Sequence, residues 1–244
     1  MSAAVSHEVE IAPFTHIVRG PYTISSRGVI TDEQATRFVQ LLRSSVDEPT
    51  HTVLGGRGQS RVLELPQLGR VFVKRYSHGG FFRVITGGRF LCIGPCRSES
   101  EFTMLEKVRA CGVNAPKPIA FIKKGSTVFS TWLVMEELAG ARSLVEIQEK
   151  DSDEMLKAMD ALAVQMGVLV KHNIFHVDLH PGNVLVAPSG EVYLVDFDKA
   201  ITFRGSSQAL RDLYLRRWRR AVIKHKLSPV LSEMMSLTLR SFDE

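Results

Sequence analysis

The segment HVDLHPGNVLVAPSGEVYLVDFD, from His176 to Asp198, decides how the chain is read. Apolar runs Val184-Leu185-Val186 and Val192-Tyr193-Leu194-Val195 flank Pro188-Ser189-Gly190, which predicts two short strands joined by a tight turn. Such a hairpin holds Asn183 near the start of its first strand and Asp196 at the end of its second. Asp178 falls in the loop just before. Three oxygen-bearing side chains then converge at one edge, a donor set suited to hard cations and phosphate chemistry.

Outward from the hairpin, apolar residues at Met155, Leu156, Met159, Leu162, Ala163, Met166, Leu169 and Val170 predict a helix that is apolar around much of its circumference and therefore buried. A basic helix is expected from about Ser206 to Lys226. The first part of the chain has a different character. Thr31 with Gln34 forms a capping box ahead of Phe38, Val39, Leu41 and Leu42, hence a helix. HTVLGGRGQSRVLELPQLGRVFVKRY reads as strands with glycine-bearing turns. In SESEFTMLEKVRACG, Ser98 and Glu101 form a second capping box, Phe102, Leu105 and Val108 the inner face, and Gly112 the stop. STVFSTWLVMEEL gives a further strand ending at Glu136-Glu137. The expectation is an α+β chain with a sheet-rich part, residues 1–137, and a mainly helical part, residues 138–244.

At 244 residues the chain accommodates one domain or two small lobes with a real core. Its 44% hydrophobic and 23% charged content is that of an ordinary globular protein. Neither a secretory signal nor a spanning helix is expected. Cys92, Cys96 and Cys111 are too few for a disulfide framework, and the Cys92/Cys96 spacing lacks the second ligand pair of a zinc site. A reducing cytoplasm is expected.

The net charge of +5 is unevenly spread. Between Lys74 and Ser98 there are five Lys/Arg and no acid, with Phe81, Phe82 and Phe90 interleaved. Between Arg204 and Lys226 there are eight Lys/Arg against Asp212 alone, with Trp218 among them. Basic residues mixed with aromatics suit an anionic membrane or a nucleic acid; solvated faces of ordinary helices and loops are the alternative.

Phosphoryl transfer needs metal ligands, a phosphate cradle and a group to accept or orient the attacking hydroxyl's proton. The kinase pattern H-R-D, four residues, N, then D-F-G supplies these parts. His176, Asp178 and Asn183 fit its first half, and Asp196-Phe197-Asp198 stands where D-F-G would. On this reading Asp178 faces the substrate hydroxyl, the Asn183 amide oxygen binds a Mg²⁺, and Asp196 takes the metal that bridges the phosphates of ATP. The alternative makes Asp and Asn mere turn formers. Upstream, Gly55, Gly56 and Gly58 lie where a phosphate-covering loop belongs, although glycine turns between strands are common. Lys74 follows on a strand, as a phosphate-binding lysine or as a solvent-facing one alternating with Val71 and Val73. Glu101 is its expected partner, or only half of a capping box; Glu99 points about 200° away on the helix.

With these residues placed, the chain resembles the lipopolysaccharide kinase group of the protein-kinase-like fold, and within it the Kdo kinase family. The similarity rests on Gly56-Arg57-Gly58, VKRYSHGGF from Val73, RSESEFTMLEKVRACGVNAPKPIA from Arg97, HVDLHPGN and VDFDKA. It runs from roughly Gly55 to Lys226. The resemblance implies a two-lobed kinase fold, with an antiparallel-sheet N-lobe and a short, mainly helical C-lobe. It also implies ATP-dependent phosphorylation of a Kdo sugar on a lipid A precursor, at the inner face of the bacterial inner membrane. The implied partner is that lipid-linked acceptor; the basic, aromatic surface would then meet an anionic membrane surface, or the phosphates and carboxylates of the substrate. Neither nucleic acid nor an obligate protein partner is expected.

Some positions depart from the patterns. Lys74 stands where the family has arginine, which restores the usual phosphate-binding lysine. Val177 replaces the arginine of H-R-D, removing the usual ligand of a phosphorylated activation loop. The short stretch after Asp196 leaves little room for a peptide-docking platform. Asp198 replaces the glycine of D-F-G; it serves the metal or pairs with Arg204 or Lys199. Other readings are a kinase for heptose or a small alcohol, a kinase-like fold acting on a protein, and an inactive membrane-associated binding module.

Overall fold

The computed structural model describes residues 12–44, 60–76, 90–91, 96–126, 128–148 and 152–241. Its first half is an antiparallel sheet built from β1 (Thr15–Arg19), β2 (Tyr22–Ser26), β3 (Ser60–Leu65), β4 (Gly69–Tyr76), β5 (Phe90–Leu91), β6 (Pro118–Lys124) and β7 (Val128–Glu136). The order is β1-β2-β6-β7-β4-β3, with β5 beside β7. Successive side chains of a strand point to opposite faces, and here both faces are covered. Val71, Val73, Ala120, Ile122, Trp132 and Val134 form one buried cluster with Ala35, Phe38 and Val39 of helix α1 (Asp32–Ser44). Tyr76, Phe121, Leu133 and Met135, one position out of phase, join Phe102, Leu105 and Val108 of helix α2 (Arg97–Ala110) on the other face.

Helix ends follow local chemistry. The Thr31/Gln34 box forms: Gln34 N–H donates to Thr31 Oγ1 at 3.2 Å, and Thr31 N–H to Gln34 Oε1 at 2.9 Å. Helix α2 stops as expected at Gly112, whose φ of 94° is open to glycine. There Gly112 and Val113 donate to Arg109 and Val108 carbonyls. The Ser98/Glu101 box does not form. The cap position is Cys96, and Ser98 lies inside the helix, fully buried, with its hydroxyl bonded to Thr131 Oγ1. That frees Glu101 for other partners.

The second half comprises β8 (Arg142–Ser143), α3 (Leu144–Gln148), α4 (Ser152–Lys171), β9 (Ile174–Phe175), a 3-10 turn (Pro181–Asn183), β10 (Val184–Val186), β11 (Val192–Leu194), β12 (Ile201–Thr202), α5 (Ser207–Lys224) and α6 (Val230–Arg240). The expected hairpin is β10–β11, turned at Gly190 with φ 87°, and β10 also pairs with β8. Helix α4 buries Met155, Met159, Leu162, Met166 and Leu169. Each such side chain contributes about 1.5–3 kcal/mol of burial free energy. Leu156, expected inside, is 41% exposed because it lies off this face. The β1–β2 hairpin and helix α6 are additions to the elements expected from the sequence.

The basic helix is α5, capped by Ser206. Two of its residues depart from expectation. Trp218 is buried and donates its indole N–H to the Leu231 carbonyl at 2.9 Å, and Arg211 is buried as well. Arg216, Arg217, Arg219, Arg220 and Lys224 remain exposed, with Ile223 as their apolar neighbour. Phe81 and Phe82 of the other basic stretch lie outside the described residues, as does the Phe90 side chain. Among the described residues no helix is long and apolar enough to cross a membrane.

Candidate active site

Alternation along β4 places the first site residue. Val71 and Val73 face the α1 side of the sheet, so Phe72, Lys74 and Tyr76 face α2 and the helical half. Lys74 is therefore turned inward. Its Nζ lies 2.7 Å from Glu101 Oε2 and 2.6 Å from Asp196 Oδ1, joining strand, helix and D-F-D segment. Glu101 is 1% exposed, whereas Glu99, two positions earlier, is partly open. Glu101 also accepts the Tyr76 hydroxyl and, through Oε1 at 3.1 Å, the Phe197 N–H. Both Glu101 carboxylate oxygens are thus engaged by donors.

The loop before β10 is built around His176. Its backbone N–H donates to the Tyr214 hydroxyl at 2.9 Å, and Tyr214 donates to the Ile174 carbonyl at 2.7 Å. The ring packs on Phe197 and places Nε2 2.9 Å from the Val195 carbonyl. A carbonyl only accepts, so Nε2 carries the proton and Nδ1 is bare. Asn183 donates its side-chain N–H to the Asp178 carbonyl at 3.0 Å, and its own carbonyl accepts Val195 N–H at 3.1 Å. Loop and D-F-D strand are thereby stitched together next to Asp196. Asp196 adopts φ 68°, a left-handed conformation that Asp tolerates better than most residues.

Charge follows from this packing. Burial alone would lower the Lys74 pKa, but Glu101 and Asp196 outweigh it and hold the ammonium above its usual value. Burial raises Glu101, with Lys74 pulling it back, and it pushes the Tyr76 phenol well up. Asp196 ends below the usual carboxylate range: burial works against this, and Lys74 prevails. A charged Lys74–Asp196 contact is the stable state.

Lys74, Glu101 and Asp196 are brought together, and Asp178 and Asn183 are tied to them through the loop. Gly55, Gly56 and Gly58 lie outside the described residues. Asp198 pairs with neither Arg204 nor Lys199; its buried carboxylate meets Arg97 at the start of α2. Three contacts went unmarked in the sequence. Tyr76 caps Glu101, Lys199 reaches Asp178 Oδ2 at 2.6 Å, and Arg217 stands 3.9 Å from Asp178 Oδ1. The i+2 position of Tyr76 from Lys74 on one strand was the available signal. For the other two no local signal existed.

The donor chemistry fits Mg²⁺. Asn183 commits its amide nitrogen to the Asp178 carbonyl, which leaves the amide oxygen as the end for a cation. Asp196 supplies a carboxylate held ionised. Hard oxygen donors of this kind, one or two per ion, are what Mg²⁺ takes from a protein when phosphates complete its shell.

An antiparallel sheet and a helical half, joined through a Lys–Glu–Asp cluster, make this a protein-kinase-like fold. The chain belongs to the lipopolysaccharide kinase (Kdo/WaaP) family, whose model matches residues 40–230. It is similar to the 3-deoxy-D-manno-octulosonic acid kinase of Vibrio vulnificus, 29% identical over 59% of this chain and 61% of that protein. The Vibrio cholerae protein of the same name is 29% identical over 62% of this chain and 65% of its own length. That of Xylella fastidiosa is 25% identical over 70% and 68%. The matched region thus spans less than two thirds of either Vibrio relative.

Proposed function

We propose that the chain is a kinase that uses ATP and Mg²⁺ to phosphorylate a hydroxyl of a Kdo sugar on a lipid A precursor. The observation that carries this reading is Lys74 held between Glu101 and Asp196, beside a loop that presents Asp178 and Asn183. The names of the relatives supply the Kdo sugar of the acceptor. Residues 1–137 act as the N-lobe and 138–244 as the C-lobe. Lys74 holds nucleotide phosphate, kept in place by Glu101, and Gly55, Gly56 and Gly58 cover the phosphates. Asp196 and the Asn183 oxygen hold Mg²⁺, which when bound offsets the negative charge of the phosphates. Asp178 takes the proton from the acceptor hydroxyl as its oxygen bonds to the γ-phosphorus and the bond to the leaving ADP oxygen breaks. Arg216, Arg219 and Arg220 of α5 rest on the anionic inner face of the bacterial inner membrane.

The test incubates purified protein with Mg²⁺, ATP and a Kdo-bearing lipid A precursor and follows the lipid's mass. The expected result is a gain of one phosphate. Asp178→Asn should lower turnover by orders of magnitude with little change in ATP affinity. A variant that keeps more than about a tenth of the rate removes Asp178 from the mechanism. Transfer to heptosides but not to the Kdo lipid overturns the acceptor.

A further inference from the structure

A carboxylate that is to accept a proton from a substrate hydroxyl needs one oxygen within reach of it. Asp178 has two cations against it instead, from two other elements. Lys199, in the turn after the D-F-D segment, bonds Oδ2 at 2.6 Å, and Arg217 of α5 stands 3.9 Å from Oδ1. Neither is used up there. An ammonium has three donors and Asp178 takes one. Arg217 at 3.9 Å is beyond hydrogen-bond reach, so its fork is spent on neither oxygen. Its guanidinium is steadied over the Phe175 ring, 5.5 Å from the centroid. The side chains are 58% and 44% exposed, so both present charge to solvent beside the carboxylate. Two cations of the site are engaged elsewhere: Lys74 by Glu101 and Asp196, Arg97 by Asp198.

Two open cations, one at each oxygen of a carboxylate, retain the donors to hold a second one. Arginine's planar fork suits a bidentate carboxylate, and lysine adds a point charge. We propose that Lys199 and Arg217 form a subsite for a carboxylate on the acceptor, which fixes the acceptor hydroxyl against Asp178. The proposal rests on the reading of Asp178 as the residue that meets the hydroxyl. It makes the two cations the specificity determinants for the acid group of the acceptor. The acid binds between them while Lys199 keeps one N–H on Asp178 and orients it.

The experiment measures binding of free Kdo and of its methyl ester to the full chain, by calorimetry or ligand-detected magnetic resonance, with Mg²⁺ and a non-hydrolysable ATP analogue. Wild type should bind the acid at least about tenfold more tightly than the ester, the scale of one charge-assisted hydrogen bond pair. Lys199→Gln and Arg217→Gln should each remove most of that preference, and Arg217→Lys should retain part of it. Equal binding of acid and ester by wild type, or binding of neither, overturns the subsite. So do variants that lose acid and ester alike, and a Lys199→Gln protein that loses nucleotide affinity while keeping the acid preference. Phosphate transfer separates this from the Kdo reading. Acid preference without transfer to a Kdo lipid leaves the subsite standing and removes the acceptor; equal transfer to acid and ester lipids does the reverse.

Discussion

Glu101 accepts the backbone N–H of Phe197 across 96 positions of sequence, with the same carboxylate that holds Lys74. One side chain of α2 therefore fixes both the lysine of β4 and the segment that carries Asp196. Replacing it with alanine leaves Lys74 with Asp196 alone and strands the Tyr76 phenol and the Phe197 amide. Glu101→Ala is expected to destabilise the fold by about 3–5 kcal/mol, the scale for removing one member of a buried ion pair. Glu101→Gln keeps an acceptor for Phe197 and should cost less. Urea unfolding of the two variants checks the order, and equal losses would mean that the amide bond contributes nothing.

Arg97 and Asp198 make a second tie between the same two elements. The Asp198 carboxylate is 5% exposed, so Arg97→Ala leaves an acceptor in a place that water scarcely reaches. A loss of about 1–3 kcal/mol is expected. The double variant Arg97→Ala/Asp198→Ala should lose less than the sum of the singles. Strict additivity in the denaturation midpoints would show that the pair is uncoupled.

Stability should fall in mild acid. Burial holds the His176 imidazole below its usual range, and burial, His225 and His176 do the same for His180. The unfolded chain takes up these protons from about pH 6.5 downward and the native rings do not. Their stabilisation is thus complete above the unfolded pKa and is lost as pH drops toward the folded one. Glu101, raised by burial, contributes with the opposite sign upward from its usual value of 4.5, and this cancels when variants are compared. His176→Gln should flatten the slope of unfolding free energy between about pH 6.5 and 5. An unchanged slope would exclude His176 as its source.

Neutralising Arg216, Arg219 and Arg220 together should weaken sedimentation with anionic liposomes, most visibly at low salt. Arg217 is left in place because of its position beside Asp178. Unchanged sedimentation would mean that this face meets something other than lipid.

The hairpin and its loop were legible because every signal there is local: a Gly190 turn, paired apolar runs, and fixed spacings from His176 to Asp198. Lys74 was ambiguous in sequence, since alternation says that it opposes Val71 and Val73 but not which face is open. Both faces are covered, and that settles it. Glu101 was half-hidden by an apparent cap that fails because the Ser98 hydroxyl turns to Thr131, a partner 33 positions away. The β1 strand went unseen because its residues are mostly exposed, so no apolar alternation marks it. Trp218 read as surface aromatic because its neighbours are arginines; its burial depends on α6, whose apolar Leu231, Met235 and Leu239 recur at helical spacing beyond the basic run. Lys199 and Arg217 meet Asp178 only through the tertiary fold.

Phe121 and Leu133 of the sheet share one buried cluster with Met166 and Leu210 of the helices. Separating the two halves would expose that apolar surface to water, so they lose structure together. Damage within the cluster then changes the number of competent molecules and not their quality. A lesion at Leu210 would leave each surviving copy as capable as the original, and a cell could offset it by making more of the protein.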